Sequence, residues 1–171
     1  MPTYVALLRA VNVGGTGRLP MADLLAMARA VGFQRARTYI ASGNLVFESP
    51  DSERQVKAAL EQALARYAGK PVGVMVRTSA QMSAVLAANP FPDKLPNRTV
   101  VVFLDAPPCD DWQAGMVAPA GEEAKAGTRE IYIHYGDGMA DSKFKLPAAA
   151  TGTARNINTV ARLAAMANGQ G

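Results

Sequence analysis

The chain has one cysteine, one histidine and only 6% aromatic residues, and each scarcity closes off a class of protein. Cys109 alone can form neither an internal disulfide nor a cysteine metal cluster, and its Pro-Pro-Cys-Asp-Asp loop reads as an incidental setting for a thiol. His134 lies in a strand-like run with Ile131, Tyr132, Ile133 and Tyr135. Without a histidine or cysteine partner it reads as a packed, cross-strand residue and not as a metal ligand. Nothing in this composition asks for a metal or a cofactor. The longest apolar runs, Tyr4 to Leu8 and Val100 to Leu104, are far too short to span a bilayer. The N-terminus lacks the basic region, apolar core and cleavage site of a secretory signal. These absences lead us to expect a cytoplasmic protein with no membrane partner.

What is present is enough for a core: 49% apolar residues in 171 supports one ordinary domain or two small ones packed together. Thr3 to Val11 is apolar and β-rich, and the loop Asn12 to Leu19 leads to Pro20, a residue suited to a first helical turn. Met21, Leu24, Leu25, Ala28 and Val31 recur at helical spacing, and Gly32 stands where a left-handed cap belongs. Ala36 to Ala41 and Leu45 to Phe47 flank Ser42-Gly43-Asn44, a connection able to take the positive φ angles of a hairpin. A second helix starts near Ser49-Pro50-Asp51, with Val56, Leu60, Ala63, Leu64 and Tyr67 on its buried face, and Val72 to Arg77 reads as a fourth strand.

This β-α-β-β-α-β order over residues 1–78 is ferredoxin-like: two helices cover one face of a four-stranded antiparallel sheet, and the other face is either exposed or covered by a partner. In residues 79–171, Thr78-Ser79-Ala80-Gln81 spells a capping box that opens a helix through Leu86. Val100 to Leu104 is a buried-type strand and Asp110 to Met116 a short helix. Ala118 to Ala126 pairs with Thr128 to Tyr135 around Gly127, and a last helix runs from about Asn156 to Ala167. The expected fold class is therefore α+β: a ferredoxin-like (α-β plait) N-terminal half packed on a second, less regular α+β half, a degenerate repeat that self-similarity alone does not prove.

The formal charge of +4 is uneven: residues 1–78 hold ten Lys/Arg against five Asp/Glu, and residues 79–171 eight against nine. A basic half suits phosphorylated ligands or nucleic acid, although several of its charges lie on helix faces where solvation accounts for them. Within Asn12-Val13-Gly14-Gly15-Thr16-Gly17-Arg18, the strand-to-helix position offers backbone N–H groups and an arginine to an anion. The loop is neither a Walker loop, lacking Gly-Lys-Ser/Thr, nor a dinucleotide fingerprint, since Pro20 replaces the third glycine. A plain crossover loop remains the alternative for Asn12, Gly14, Gly15 and Arg18. Arg9, at the end of the first apolar strand, either pairs with an acid such as Glu48 or projects toward a ligand. Ser42 and Asn44 suit hairpin turn chemistry. Arg155 and Asn156 precede the last helix, where both N-capping and anion capture are served. Ser142-Lys143 forms no Ser-Lys dyad by adjacency, because the two side chains must converge in space.

Two stretches, ALLRAVNVGGTGRLPMADLLAMARAVGFQRARTYIASGNLVFES (Ala6 to Ser49) and TARNINTVARL (Thr153 to Leu163), carry a likeness to a known family. The chain resembles the bacterial "domain of unknown function 1697" family, whose members carry an ALLRGINVGG-type start, a YIQSGNVVF-type hairpin and a TRNWNTV-type last helix. The resemblance covers both ends, with a loose middle from about Asp93 to Gly127. It implies two α-β plait halves, gives weight to Ser42, Asn44 and the Ser142-Lys143 element as parts of its pattern, and brings no assigned activity.

Three functional readings follow. The leading one is binding of an anionic ligand (a nucleotide, nucleic acid or phosphorylated metabolite) in the region between the halves, through Arg9, Asn12, Gly14, Gly15, Arg18, Ser42, Asn44, Lys143, Arg155 and Asn156. Scattered Tyr4, Tyr39 and Phe47 form no RNP-type run, so nucleic acid would be held by charge through Arg9, Arg18, Arg37 and Arg77. The second reading is an enzyme of unknown reaction on a small anionic metabolite, for which no nucleophile or acid–base pair stands out. The third is an interaction protein self-associating through its sheet. Oligomeric state is left open.

Overall fold

The computed structural model describes residues 1–12, 18–136 and 142–169. It is an α+β structure with two four-stranded antiparallel sheets. The chain divides into two compact units, Met1–Met82 together with Leu163–Gly171, and Ser83–Arg162.

The first unit contains β1 (Thr3–Leu8), α1 (Met21–Ala30), β2 (Gln34–Thr38), β3 (Asn44–Glu48), α2 (Glu53–Ala68) and β4 (Val74–Thr78), with strand order β2-β3-β1-β4. β1 is central and its residues from Tyr4 to Leu8 are buried. Alternation along it sorts the two faces. Tyr4, Ala6 and Leu8 join Leu45, Phe47, Val74 and Val76 in a core against Leu24 and Ala28 of α1 and Val56, Leu60 and Leu64 of α2. Phe33 and Phe47 stack there with ring centroids 4.0 Å apart. The opposite face is buried as well: Val5, Leu7, Val46, Met75 and Arg77 are all 3% exposed or less. The three inner strands are thus buried on both faces, while the edge strand β2 is largely exposed.

Local chemistry sets the helix limits. Gly32 takes the expected left-handed conformation, φ 93°. α2 begins behind Ser52, whose hydroxyl accepts from Gln55 N while the Gln55 side chain accepts from Ser52 N. Gly69 closes it at φ 71°, donating to Ala65 O. Tyr67, which helical spacing places on the buried face, is 47% exposed, because it sits in the last turn beyond the reach of the sheet. β2 is an edge strand with a register break between Gln34 and Arg37, a device that discourages edge pairing. Arg37 is spent on structure: its Nη2 donates to Met166 O at 2.7 Å, satisfying a carbonyl near the end of the last helix.

The second unit has β5 (Thr99–Phe103), β6 (Glu123–Ala126), β7 (Glu130–His134) and β8 (Thr153–Asn156), in order β6-β7-β5-β8. Two further helices, α3 (Ser79–Ala87) and α4 (Ile157–Ala167), follow β4 and β8 directly. The capping box expected at α3 is present, Thr78 Oγ1 accepting from Gln81 N and Gln81 Oε1 from Thr78 N. The expected helix at Asp110 to Met116 is instead a run of turns, with Trp112 N bonding Cys109 O, Ala114 N bonding Asp111 O and Met116 N bonding Gln113 O. Gly115 sits at φ 75°, left-handed backbone that a right-handed helix does not continue through. Trp112 and Met116 still pack on Val102, Leu104, Ile131, Ile133 and Leu146. The β6–β7 pair is shorter than the sequence suggests, and β8 occupies residues that read as the approach to the last helix.

The two sheets repeat each other in register. Val5 of β1 lies opposite Val46 and Arg77, and Val101 of β5 lies opposite Tyr132 and Arg155. Each fourth strand ends in a residue that caps the helix after it: Thr78 for α3, and Asn156, whose Oδ1 accepts from Asn158 N at 2.8 Å, for α4. The order β2-β3-β1-β4 and its counterpart are the physical form of the suspected degenerate repeat.

Two left-handed glycines separate conformational from steric cost. A Cβ at Gly43 (φ 89°) would lie 2.6 Å from Val11 Cγ2 and 2.9 Å from Leu8 Cβ, whereas one at Gly69 (φ 71°) meets nothing within 4 Å. Urea unfolding of Gly69→Ala is expected to show a loss of about 1 kcal/mol from backbone strain alone. Gly43→Ala adds overpacking and is expected to lose about 3 kcal/mol; equal losses would refute this.

Candidate cationic cleft at the end of the first strand

The site begins where β1 stops. Leu8 N donates to Gly43 O at 2.9 Å and Arg9 N to Gly73 O at 2.8 Å, so the strand is held from both sides at its last residue. The chain then turns through two non-glycine residues of positive φ, Ala10 and Asn12, each at 56°. Such backbone is costly for residues with a Cβ, and Asn12 is the type that tolerates it best while bonding locally. Its Nδ2 donates to Leu19 O (2.8 Å) and Ala41 O (2.9 Å), and its Oδ1 accepts from Leu19 N (2.6 Å). Asn12 thus clasps the two ends of the loop and ties them to the β2–β3 connection.

Beside this clasp lies a cleft of about 590 Å³ lined by Arg9 to Val11, Arg18, Leu19, Leu64, Tyr67, Ala68 and Lys70 to Gly73. Arg9 and Arg18 come from the two sides of the loop, and Lys70 follows the Gly69 cap of α2. Three cations therefore line one cleft whose described lining contains no carboxylate. The walls between them are apolar: Val11, Leu19 and Leu64 are buried. The Tyr67 hydroxyl donates to Asp23 Oδ2 at 2.6 Å. That bond, more than burial, raises the phenol above its ordinary value of 10.0, so Tyr67 is a neutral donor at physiological pH.

The residues singled out from the sequence separate into distinct places. Arg9 and Arg18 meet at the cleft. Arg9 lines the cleft, and the acid suggested as its partner, Glu48, pairs with Arg35 at 3.4 Å. Gly14 and Gly15 lie outside the described residues. Asn12, Ser42 and Asn44 form framework: Asn44 is buried and donates through Nδ2 to Tyr39 O (2.8 Å) and Ser42 Oγ (2.9 Å). Lys143, Arg155 and Asn156 belong to the second unit. Lys143 is exposed. Arg155 is buried, donating to Thr153 Oγ1 (2.7 Å) and Ala154 O (2.9 Å), and desolvation lowers its pKa to about 10, leaving it charged at neutral pH. Asn156 caps α4 and donates to Asn97 O at 3.0 Å.

Sequence reasoning missed Lys70 and Tyr67 as cleft residues. The available signal was their place around the Gly69 stop, since side chains at a helix end escape the core. His134 is the cross-strand residue expected, its Nδ1 3.3 Å from Thr99 Oγ1. Among the described residues no cluster of three or more His, Cys, Asp or Glu is arranged to hold a metal, and no helix is long and apolar enough to cross a membrane.

Ser142 has a structural partner that rules out an idle hydroxyl beside Lys143. Its Oγ donates to Glu122 Oε2 at 2.6 Å and accepts from Phe144 N, while Glu122 Oε1 accepts from Ala120 N at 2.9 Å. The Ser142 bond chiefly holds the Glu122 carboxyl below its ordinary 4.5. A lowered folded pKa contributes stability that is present above the unfolded value and is lost as pH falls through the folded one. Ser142→Ala is therefore expected to be less stable than the parent at pH 7, with the gap shrinking as pH falls through the lowered carboxyl pKa in thermal unfolding series. A gap independent of pH would refute the assignment.

Comparison with known proteins adds the following. The family described as "Protein of unknown function (DUF1697)" matches residues 1–132. No curated protein matches. Among solved structures, a conserved bacterial protein from Streptococcus pneumoniae is similar with a TM-score of 0.79 and 24% identity, covering 97% of this chain and 98% of that one. At that identity the likeness speaks for the fold.

Proposed function

Since the chain belongs to the DUF1697 family, whose function is unknown, we propose from geometry that it binds a small anionic, phosphorylated ligand in the first-unit cleft. The observation that carries this is the convergence of Arg9, Arg18 and Lys70 on one cleft with no carboxylate in its described lining. Guanidinium groups make paired, charge-assisted hydrogen bonds to phosphate oxygens, and the volume falls within the roughly 300–1,000 Å³ of small-molecule sites. Asn12 contributes by holding the loop between Arg9 and Arg18, and does not need to touch the ligand.

A small molecule fits better than a nucleic-acid strand. RNA-recognition sheets expose aromatics on an open face, whereas the inner strands of the first-unit sheet are buried on both faces and its exposed edge strand β2 carries no aromatic residue. We read the β-α-β-β-α-β unit as ferredoxin-like, used here as a scaffold whose strand end presents the cations. A cytoplasmic setting fits a phosphorylated ligand and a single, exposed thiol at Cys109. No catalytic residue is assigned; the charged groups in the described lining are Arg9, Arg18 and Lys70.

Titration calorimetry of the full chain at low salt, with a panel of pyrophosphate, sugar phosphates and nucleoside di- and triphosphates, tests this. At least one member should bind, should weaken as salt rises, and should lose about tenfold or more in Arg9→Ala and in Arg18→Ala. Lys143→Ala should leave binding unchanged. Absence of binding across the panel, or binding indifferent to both arginine variants, would overturn the proposal.

A further inference from the structure

The cleft is built for more than charge. Its cations lie beside an apolar wall of Val11, Leu19 and Leu64, and beside Tyr67, a large aromatic ring left 47% exposed in a chain with only 6% aromatics. An exposed tyrosine on a helix end would ordinarily sample several rotamers. Here the phenol donates to Asp23 Oδ2 of α1 at 2.6 Å, a bond that favours one placement of the ring in the cleft lining. A phosphate alone has no use for that ring or for the apolar wall. A planar heterocycle has, since base–aromatic stacking depends only on the shared π-face.

Resting on the reading of the cleft as a phosphate site, we propose that its ligand is a nucleotide, with Arg9 and Arg18 on the phosphates and the base stacked on Tyr67. Tyr67 is then the specificity-determining residue of the site, and Asp23 is its positioning residue. Tyr67 neither transfers a proton nor contacts the phosphates. Its contribution is to distinguish ligands that carry a flat ring from those that carry phosphate alone.

The test compares ADP with inorganic pyrophosphate by titration calorimetry on the full chain and on Tyr67→Leu, Tyr67→Phe and Arg18→Ala. The expected result is that ADP binds about tenfold or more tightly than pyrophosphate, the scale of one stacking contact. That preference should collapse in Tyr67→Leu and survive in Tyr67→Phe, which keeps the ring. Tyr67 is half exposed, so both variants are expected to fold, with circular dichroism as the check. Pyrophosphate binding that needs Arg18, with no preference for ADP or a preference untouched by Tyr67→Leu, would overturn this inference and leave the phosphate site standing. Failure of both ligands to bind would overturn the two together.

Discussion

The structure of the first unit depends on how β1 is held and how the chain leaves it. β1 is bonded on both sides and buried from Tyr4 to Leu8, so it cannot bend or slip without disturbing three other strands. Its ladder ends at Leu8 and Arg9, on bonds to Gly43 and Gly73. The chain must therefore turn sharply at once, and it does so through Ala10 and Asn12 in left-handed backbone. Three hydrogen bonds from the Asn12 side chain offset that strain. The reversal brings Arg9 and Arg18 to one cleft, so the candidate site is a by-product of where a central strand stops.

The same physics gives the Ser42-Gly43-Asn44 turn its residues. Gly43 approaches Leu8 and Val11 so closely that no Cβ fits, and buried Asn44 bonds the backbone of Tyr39 across the turn. A hairpin motif and a loop motif distant in sequence thus form one packed junction, of which Val11 lines the cleft while Asn12, Gly43 and Asn44 do not. That is how residues can be prominent in a pattern and still serve the framework beneath a site.

The repeat of strand order and register across the two units shows that the pairing scheme tolerates very different connections. In the first unit the crossovers are the helices α1 and α2. In the second, the described parts of the connections are turns, a 3-10 turn at Pro147–Ala149 and irregular chain, with Trp112 and Met116 supplying the cover that helices supply elsewhere. Sheet faces need burial, and any chemistry that delivers apolar side chains at the right height meets that need. Arg77 and Arg155 occupy equivalent register positions and are both buried, although nothing in the sequences around them announces the correspondence.

Local chemistry was legible from the residues alone. The helices of the first half, the caps at Thr78 and Gly32, the hairpin around Gly43 and the succession of elements along the first half all follow from spacing and turn residues, because those signals act within a few positions of one another. Arg9 and Arg18 could likewise be chosen as cations flanking a strand-to-helix loop. Beyond that reach local patterns mislead: β8 has no periodicity of its own because it is a strand of four residues, and Asp110 to Met116 has helical spacing but takes turns, with Gly115 in left-handed backbone. Tyr67 was assigned inward because periodicity gives a direction but not where the sheet ends. Sequence by itself determined the elements and their order. Tertiary structure alone decided that Lys70 and Tyr67 join Arg9 and Arg18 at one cleft while Asn12 and Asn44 turn away into the framework, since convergence depends on non-local strand pairing that no local pattern encodes.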